Sequence, residues 1–256
     1  MLARTLQEAA ARAFPPRHLE RLGDWWLRRN DTADWWNDSV LPHGPAPDGE
    51  LAARVDQVEE SYGGRAVFQM SPAASPGLEE ELTARGYRRD AEISLRTAGV
   101  VAAPACGLPV RISDEPDEAW FATWMAVHGP HAGPAGERAE LAMLRRVAEP
   151  SAYACVLDGP AVISVGRAVR SPGWTGVFGM ATRPEARGRG AAAQVLLALA
   201  SWGGTDIYLQ AERRNSAALR LYARAGFTER YSYHYRIQDG QPKRPEVPGG
   251  RLGSFF

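Results

Sequence analysis

The sequence predicts an α/β protein with a mixed α+β sheet, built in two halves. Three observations carry this. Short apolar runs alternate with amphipathic helical stretches along most of the chain. A strand, a polar loop, a helix and a Gly-aromatic pair occur twice, ending at Gly86-Tyr87 and at Gly226-Phe227. Between the repeats the apolar run from Val177 passes through Arg187-Gly188-Arg189-Gly190 into the strong helix former Ala191-Ala192-Ala193-Gln194-Val195-Leu196.

Residues 2–13 predict an Ala-rich helix stopped by Pro15-Pro16. Asp24 to Arg29 and Asp34 to Leu41 are aromatic stretches parted by a turn at Asn30-Asp31, and read as a hairpin. Trp25-Trp26 and Trp35-Trp36 alternate faces there, either packed or lining a cleft. Leu51, Val55, Val58 and Tyr62 give a helix over 48–62, ended by Gly63-Gly64. A strand over 66–70, a helix from Pro76 to Arg85 and an extended run over 87–96 complete the first half. The small-residue stretch 99–107 reads as a linker between a domain of residues 1–98 and one of 108–238. The second half predicts a strand over 108–112, helices over 115–128 and 134–148, and strands over 151–157, 161–169 and 174–182. A helix over 189–202, a strand over 206–211, a helix over 215–225 and an extended run over 227–237 follow. The tail 239–256, rich in Pro and Gly, is expected to be disordered.

Composition excludes several classes. Lys+Arg and Asp+Glu are both 30, so the net charge of zero argues against a dedicated nucleic-acid binder. The longest apolar run, Ala191 to Trp202, is interrupted by Gln194 and Ser201 and is too short to span a bilayer. Two isolated cysteines, Cys106 and Cys155, make neither a disulfide framework nor a zinc site and fit a reducing, cytoplasmic setting. His128 and His131 lack a Cys or carboxylate at ligand spacing, so no metal is expected.

The stretch from Val177 to Ala192 has the chemistry of an anion site. Glycines let the backbone approach closely, the first helical turn offers unpaired N–H groups, and Arg183, Arg187 and Arg189 add charge suited to phosphate oxygens. The first half has no such loop; counting back from the Gly-aromatic pair, Ser75 stands where Asn215 is and Leu82 where Tyr222 is.

Val177 to Ala192, followed by Asn215-Ser-Ala-Ala-Leu-Arg-Leu-Tyr-Ala-Arg-Ala-Gly-Phe227, resembles the acetyl-CoA-binding core of the GNAT acetyltransferase superfamily. The resemblance covers roughly 108–237, and more faintly 20–97 as a degenerate copy, as in tandem GNAT proteins whose C-terminal half alone is complete. It implies backbone contacts from Met180, Ala181 and Thr182 to the pantetheine arm, and a pyrophosphate wrapped by Arg187, Gly188, Arg189, Gly190, Ala191 and Ala192. The family's Gln/Arg at the start of that loop is Glu185 here, and a carboxylate cannot donate to phosphate. Asn215 matches the family's Asn near the pantetheine and equally suits a helix N-cap. Tyr222 matches the family's general acid, and a phenol with pKa of about 10 is a plausible donor to a departing thiolate. Trp120, Trp124 and the loop His128-Gly129-Pro130-His131 fall where the family builds its acceptor pocket, a spacing that core packing also explains. A base for the acceptor is not identified: Glu212, His128 and His234 are the candidates.

The resulting expectation is an acetyl-CoA-dependent N-acetyltransferase acting by direct attack on a small-molecule amine, as monomer or homodimer, without nucleic acid or membrane partners. Two alternatives stand beside it. A non-catalytic acetyl-CoA sensor would keep the loop without turnover. A dinucleotide-binding domain would use Gly188-x-Gly190-x-x-Ala193 with Asp206, although four residues separate that motif from its strand.

Overall fold

The division of the chain falls inside strands. The computed structural model describes residues 1–30, 37–47, 49–104, 106–128, 133–204 and 206–238. In chain order the elements are α1 (Leu2–Ala13), β1 (His18–Leu22), β2 (Trp25–Arg29), β3 (Val40–Leu41), α2 (Leu51–Ser61), β4 (Val67–Met70), α3 (Leu78–Ala84) and β5 (Tyr87–Ala98). Then come β6 (Val110–Ser113), α4 (Glu118–His128), α5 (Gly133–Arg145), β7 (Ser151–Asp158), β8 (Ala161–Ser171) and β9 (Trp174–Thr182). The last are α6 (Ala191–Gly203), β10 (Ile207–Glu212), α7 (Ser216–Arg224) and β11 (Thr228–Gln238). Among the described residues, one compact unit holds Met1–Ile93 and Tyr231–Gln238; the other holds Ser94–Arg230. Both β5 and β11 therefore cross the unit boundary, and the stretch 99–107 lies within the second unit. There Ala102 N–H bonds Ala225 O, and Val101, Ala103 and Leu108 pack on the core.

In the first unit the strand order is β1-β2-β3-β4-β11. The expected pairing of the two aromatic stretches is present, with Trp26 opposite Leu41 and Leu27 opposite Val40. Sequence reading missed β1, which pairs antiparallel with β2. Its His-Leu-Glu-Arg-Leu is an exposed edge strand, so it lacks the apolar alternation that marks a half-buried one. Trp35 and Trp36 lie outside the described residues, as do Gly129, Pro130, His131 and the tail from Asp239. Trp25, Phe68, Val55, Val58, Leu78, Leu82 and Tyr87 form the core between the sheet and α2 and α3. The opposite face carries a polar network. Buried Arg28 donates to Ser39 O (3.0 Å) and to Gln69 Oε1 (2.9 Å), and Gln69 donates on to Gln7 of α1. Burial pushes the Arg28 guanidinium below its ordinary pKa.

The second unit orders its strands β10-β9-β8-β7-β6. β9 runs antiparallel to β8 and parallel to β10. α6 covers one face, where Val177, Val195, Leu196, Leu199, Leu209, Ala211, Tyr222 and Phe227 share a core. Alternation sends Tyr153, Arg167, Phe178, Tyr208, Gln210 and Glu212 to the other face, where α4 packs. Trp120 Nε1–H of α4 donates to Gly166 O (3.1 Å), and its ring meets Tyr153 edge-on. The paired tryptophans of α4 are thus core residues, 1% and 2% exposed.

Candidate active site

The site is built where β9 and β10 part. Their register runs Ile207↔Thr175, Tyr208↔Gly176 and Leu209↔Val177, and stops there, although β9 continues to Thr182 and β10 to Glu212. On its other edge β9 stays paired to β8 as far as Thr182, but the register shifts between Val165 and Arg167. Gly179, at φ +61°, supplies the extra residue of that bulge. A side chain there would also crowd α4, its Cβ 3.1 Å from Trp124 Nε1. The bulge turns the backbone of Met180 and Ala181 at the point where β10 no longer pairs with it, so strand edge faces a gap. Beyond it Ser164 Oγ bonds Ala181 O (3.1 Å) and Thr182 Oγ1 (2.7 Å), which fixes the end of β9 against β8.

From the end of β9 the chain makes a short 3-10 turn, Pro184–Ala186, and reaches Gly188 and Gly190, both with positive φ. Gly190 is the N-cap of α6, and Gln194 N–H is the first to bond back to it (3.0 Å). The amides of the first turn, at Ala191 and Ala192, precede that bond and present the positive end of the helix dipole. A Cβ at Gly190 would lie 3.0 Å from Cys106 Cβ, and Cys106 N–H donates to Gln194 Oε1 (3.0 Å). The stretch expected to be a linker thus braces this loop.

The arginines divide. Arg183 is committed to the fold, its Nε donating to Val162 O (2.9 Å) and its guanidinium also to Thr123 Oγ1 (3.2 Å). Arg189 pairs with Asp158 at 2.7 Å, both side chains nearly half exposed. Arg187 is exposed at the loop. Glu185 is exposed too.

Asn215 caps α7, its Oδ1 accepting from Ala218 N–H at 3.1 Å. Tyr222 is 2% exposed, edge-on to Phe227 with centroids 6.0 Å apart. Burial alone pushes its phenol pKa well up, so it stays protonated through the neutral range. Of the three candidate bases, His234 falls in the first unit, paired opposite Met70 with Nε2 3.2 Å from Glu79. His128 ends α4, 1% exposed, with its ring 5.0 Å from Trp124. Glu212 ends β10, 2% exposed, with Arg214 Nε 2.6 Å from Oε2.

A buried charge in the second unit has no counterpart in the sequence expectations. Arg167 sits mid-strand on β8 beside Tyr153 and Phe178, 1% exposed. Burial lowers its pKa, while Tyr153 and Glu140 oppose the shift. The signal available was an Arg inside the apolar run Ala161 to Val169. Among the described residues no three His, Cys, Asp or Glu side chains gather as a metal site, and no helix is long and apolar enough to cross a membrane. The glycines follow a 3-10 turn and a strand with an antiparallel neighbour, unlike the parallel neighbourhood of a dinucleotide fold.

Comparison with known proteins agrees with this geometry. Residues 111–227 match the acetyltransferase (GNAT) family model. An uncharacterized N-acetyltransferase, YobR of Bacillus subtilis (strain 168), is 24% identical over 250 residues, covering 92% of this chain and 98% of that one. A GCN5-related N-acetyltransferase from Kribbella flavida superposes with a TM-score of 0.69 at 16% identity, over 93% of this chain and 96% of the other. A tandem GNAT protein from the clavulanic acid biosynthesis pathway gives 0.61 at 14% identity, over 90% and 86%. A strand gap, a glycine-capped helix and a family match over the same residues lead to one conclusion: the chain carries a GNAT acetyltransferase family domain and is an acyltransferase.

Proposed function

We propose that the protein transfers an acetyl group from acetyl-CoA to the amine of a small molecule by direct attack. The observation that carries this is the gap between β9 and β10, opened after Leu209↔Val177 and followed at once by the glycine loop of α6. An extended pantetheine arm fits such a gap as an added strand against Met180, Ala181 and Thr182. The pyrophosphate then meets the backbone N–H groups of residues 188–192, with Arg187 and Arg189 beside them. An N–H at the Gly179 bulge polarises the thioester carbonyl, and Tyr222 donates to the leaving thiolate. Its high pKa suits a donor that must hold its proton until sulfur carries charge. Asn215 holds the start of α7, and with it Tyr222, by capping. The first unit has neither the loop nor the phenol, so in this reading it is a degenerate copy and the second unit is the catalytic one.

Zero net charge favours a small amine over a strongly basic protein tail. Free Cys106 and Cys155 favour a cytoplasmic setting. The test is thiol release from acetyl-CoA across an amine panel, with calorimetry of acetyl-CoA binding. Tyr222→Phe should lose turnover by about 10²–10³-fold at unchanged acetyl-CoA affinity. No binding of acetyl-CoA would sink the reading. Binding with equal background turnover in both proteins would make this a sensor.

A further inference from the structure

We infer that Glu212 is the proton acceptor for the incoming amine, an inference resting on the acetyl-transfer reading. Three observations converge on it. Ile207, Leu209 and Ala211 face the core that holds Tyr222, so Tyr208, Gln210 and Glu212 face the α4 side of the sheet. Glu212 lies three residues beyond the last β9–β10 pair, Leu209↔Val177, and so on the rim of the gap. Tyr222 and Glu212 therefore approach from opposite faces, the phenol from the helix α7 side and the carboxylate from the side of α4.

The third observation is internal. In the first unit Val40 pairs in parallel with Phe68, as Val177 does with Leu209. Phe68 and Met70 face that unit's core as Leu209 and Ala211 face theirs, so Gln69 stands at Gln210 and Ser71 at Glu212. The turn after this strand closes identically: Ala74 N–H to Ser71 O at 2.9 Å, and Asn215 N–H to Glu212 O at 2.9 Å. The fold therefore makes this turn with a serine and needs no carboxylate. Burying a carboxylate is costly unless it is paired. Gln69 persists in the first unit, whereas the positions of Glu212 and Tyr222 hold Ser71 and Leu82. Both groups that would move protons are replaced there, as are Arg214 by Ala73 and Asn215 by Ala74.

The charged neighbours suit the role. Arg214 Nε lies 2.6 Å from Glu212 Oε2; Arg213 turns away to Glu229 of β11, and His128 closes α4 on the same face. The acceptor arrives as an ammonium. Glu212 takes one proton and later passes it to water, leaving the nitrogen lone pair to form the C–N bond at the thioester carbonyl. The C–S bond breaks with its electron pair going to sulfur. Tyr222 protonates that sulfur and recovers a proton from the second one the nitrogen sheds as the amide forms. Each turnover thus releases one proton to solvent.

The test is the pH profile of kcat/KM in Glu212→Gln, using a primary amine that turns over and carries an ammonium at pH 7. We expect about a 10²-fold loss at pH 7 that shrinks as pH approaches the amine's own pKa, where solution supplies the free base. Melting temperature and acetyl-CoA affinity should stay unchanged, and Glu212→Asp should restore part of the rate. Arg214→Ala should move the acidic limb to higher pH, which a merely structural carboxylate would not do. A loss equal at every pH, no loss at pH 7, or lost acetyl-CoA binding would overturn the assignment. If the wild-type chain acetylates no amine, acetyl transfer itself fails; if it does and Glu212→Gln matches it throughout, only the base fails.

Discussion

The two units lay out the same three strands, and differ in how the chain continues past the middle of each sheet. In the second, β9 is nine residues long, parts from β10 after three pairs, and leaves a gap that leads to the glycine loop. In the first, β3 is two residues long and the strands stay stitched past their ends. His43 bridges Ala74, Ser75 N–H bonds Pro42 O (2.8 Å), and Gly44 N–H bonds Ala73 O (3.1 Å). Ser75 Oγ also accepts from Trp25 Nε1 at 2.8 Å. Backbone donors that face the gap in one unit are consumed by the chain itself in the other. The same strand layout closes that opening by satisfying its own hydrogen bonds, with its core intact.

That contrast can be broken at several points. The largest effect belongs to Tyr222→Phe, with its loss of turnover of about 10²–10³-fold. Leu82, at the matching helix position and fully buried, should act on stability instead. Leu82→Ala should cost about 2–5 kcal/mol in denaturant unfolding. The folded fraction should still bind acetyl-CoA normally; a selective loss of affinity would show that the first unit serves the site. Gly190→Val forces a β-branched residue to φ +80° with its Cβ 3.0 Å from Cys106 Cβ. A cost of about 1–3 kcal/mol and at least a tenfold weaker acetyl-CoA affinity by calorimetry are expected. The smallest effect is at Asp158. Releasing Arg189 with Asp158→Ala should tighten acetyl-CoA by no more than about fivefold at low salt, a gain that vanishes at high salt.

Much of the second unit was legible because its signals are local. The strand Trp174–Thr182 follows the expected bounds, and α6, β10, α7 and β11 lie within two residues of theirs. Periodicity and glycine placement suffice for such elements. The gap was legible only through the family resemblance, since the divergence of two strands depends on register and on the Gly179 bulge, neither of which has a local pattern. Arg183 misleads for the same reason: an arginine beside a glycine loop looks available until Val162 O and Thr123 claim it. The repeat taken from its Gly-aromatic ends is one residue out in its strand. Counting from Gly86 and Gly226 aligns Leu82 with Tyr222, but the sheet faces align Gln69 with Gln210 and Ala74, not Ser75, with Asn215. The extra residue is absorbed in the turn before α3, where sequence carries no periodicity to reveal it.

The route of β11 has a consequence for synthesis. In the first unit β4 takes as its neighbour residues 234–237, with His234 opposite Met70 and Ile237 opposite Val67. Those residues leave the ribosome after every part of the candidate site has been made. The N-terminal sheet must therefore wait, with β4 lacking that partner, while the loop, α6 and α7 are already available to fold. A chain cut at 99–107 would strand each piece, one without Tyr231–Gln238 and the other without Ser94 to Ala98. The unit that begins the chain is the last to be finished.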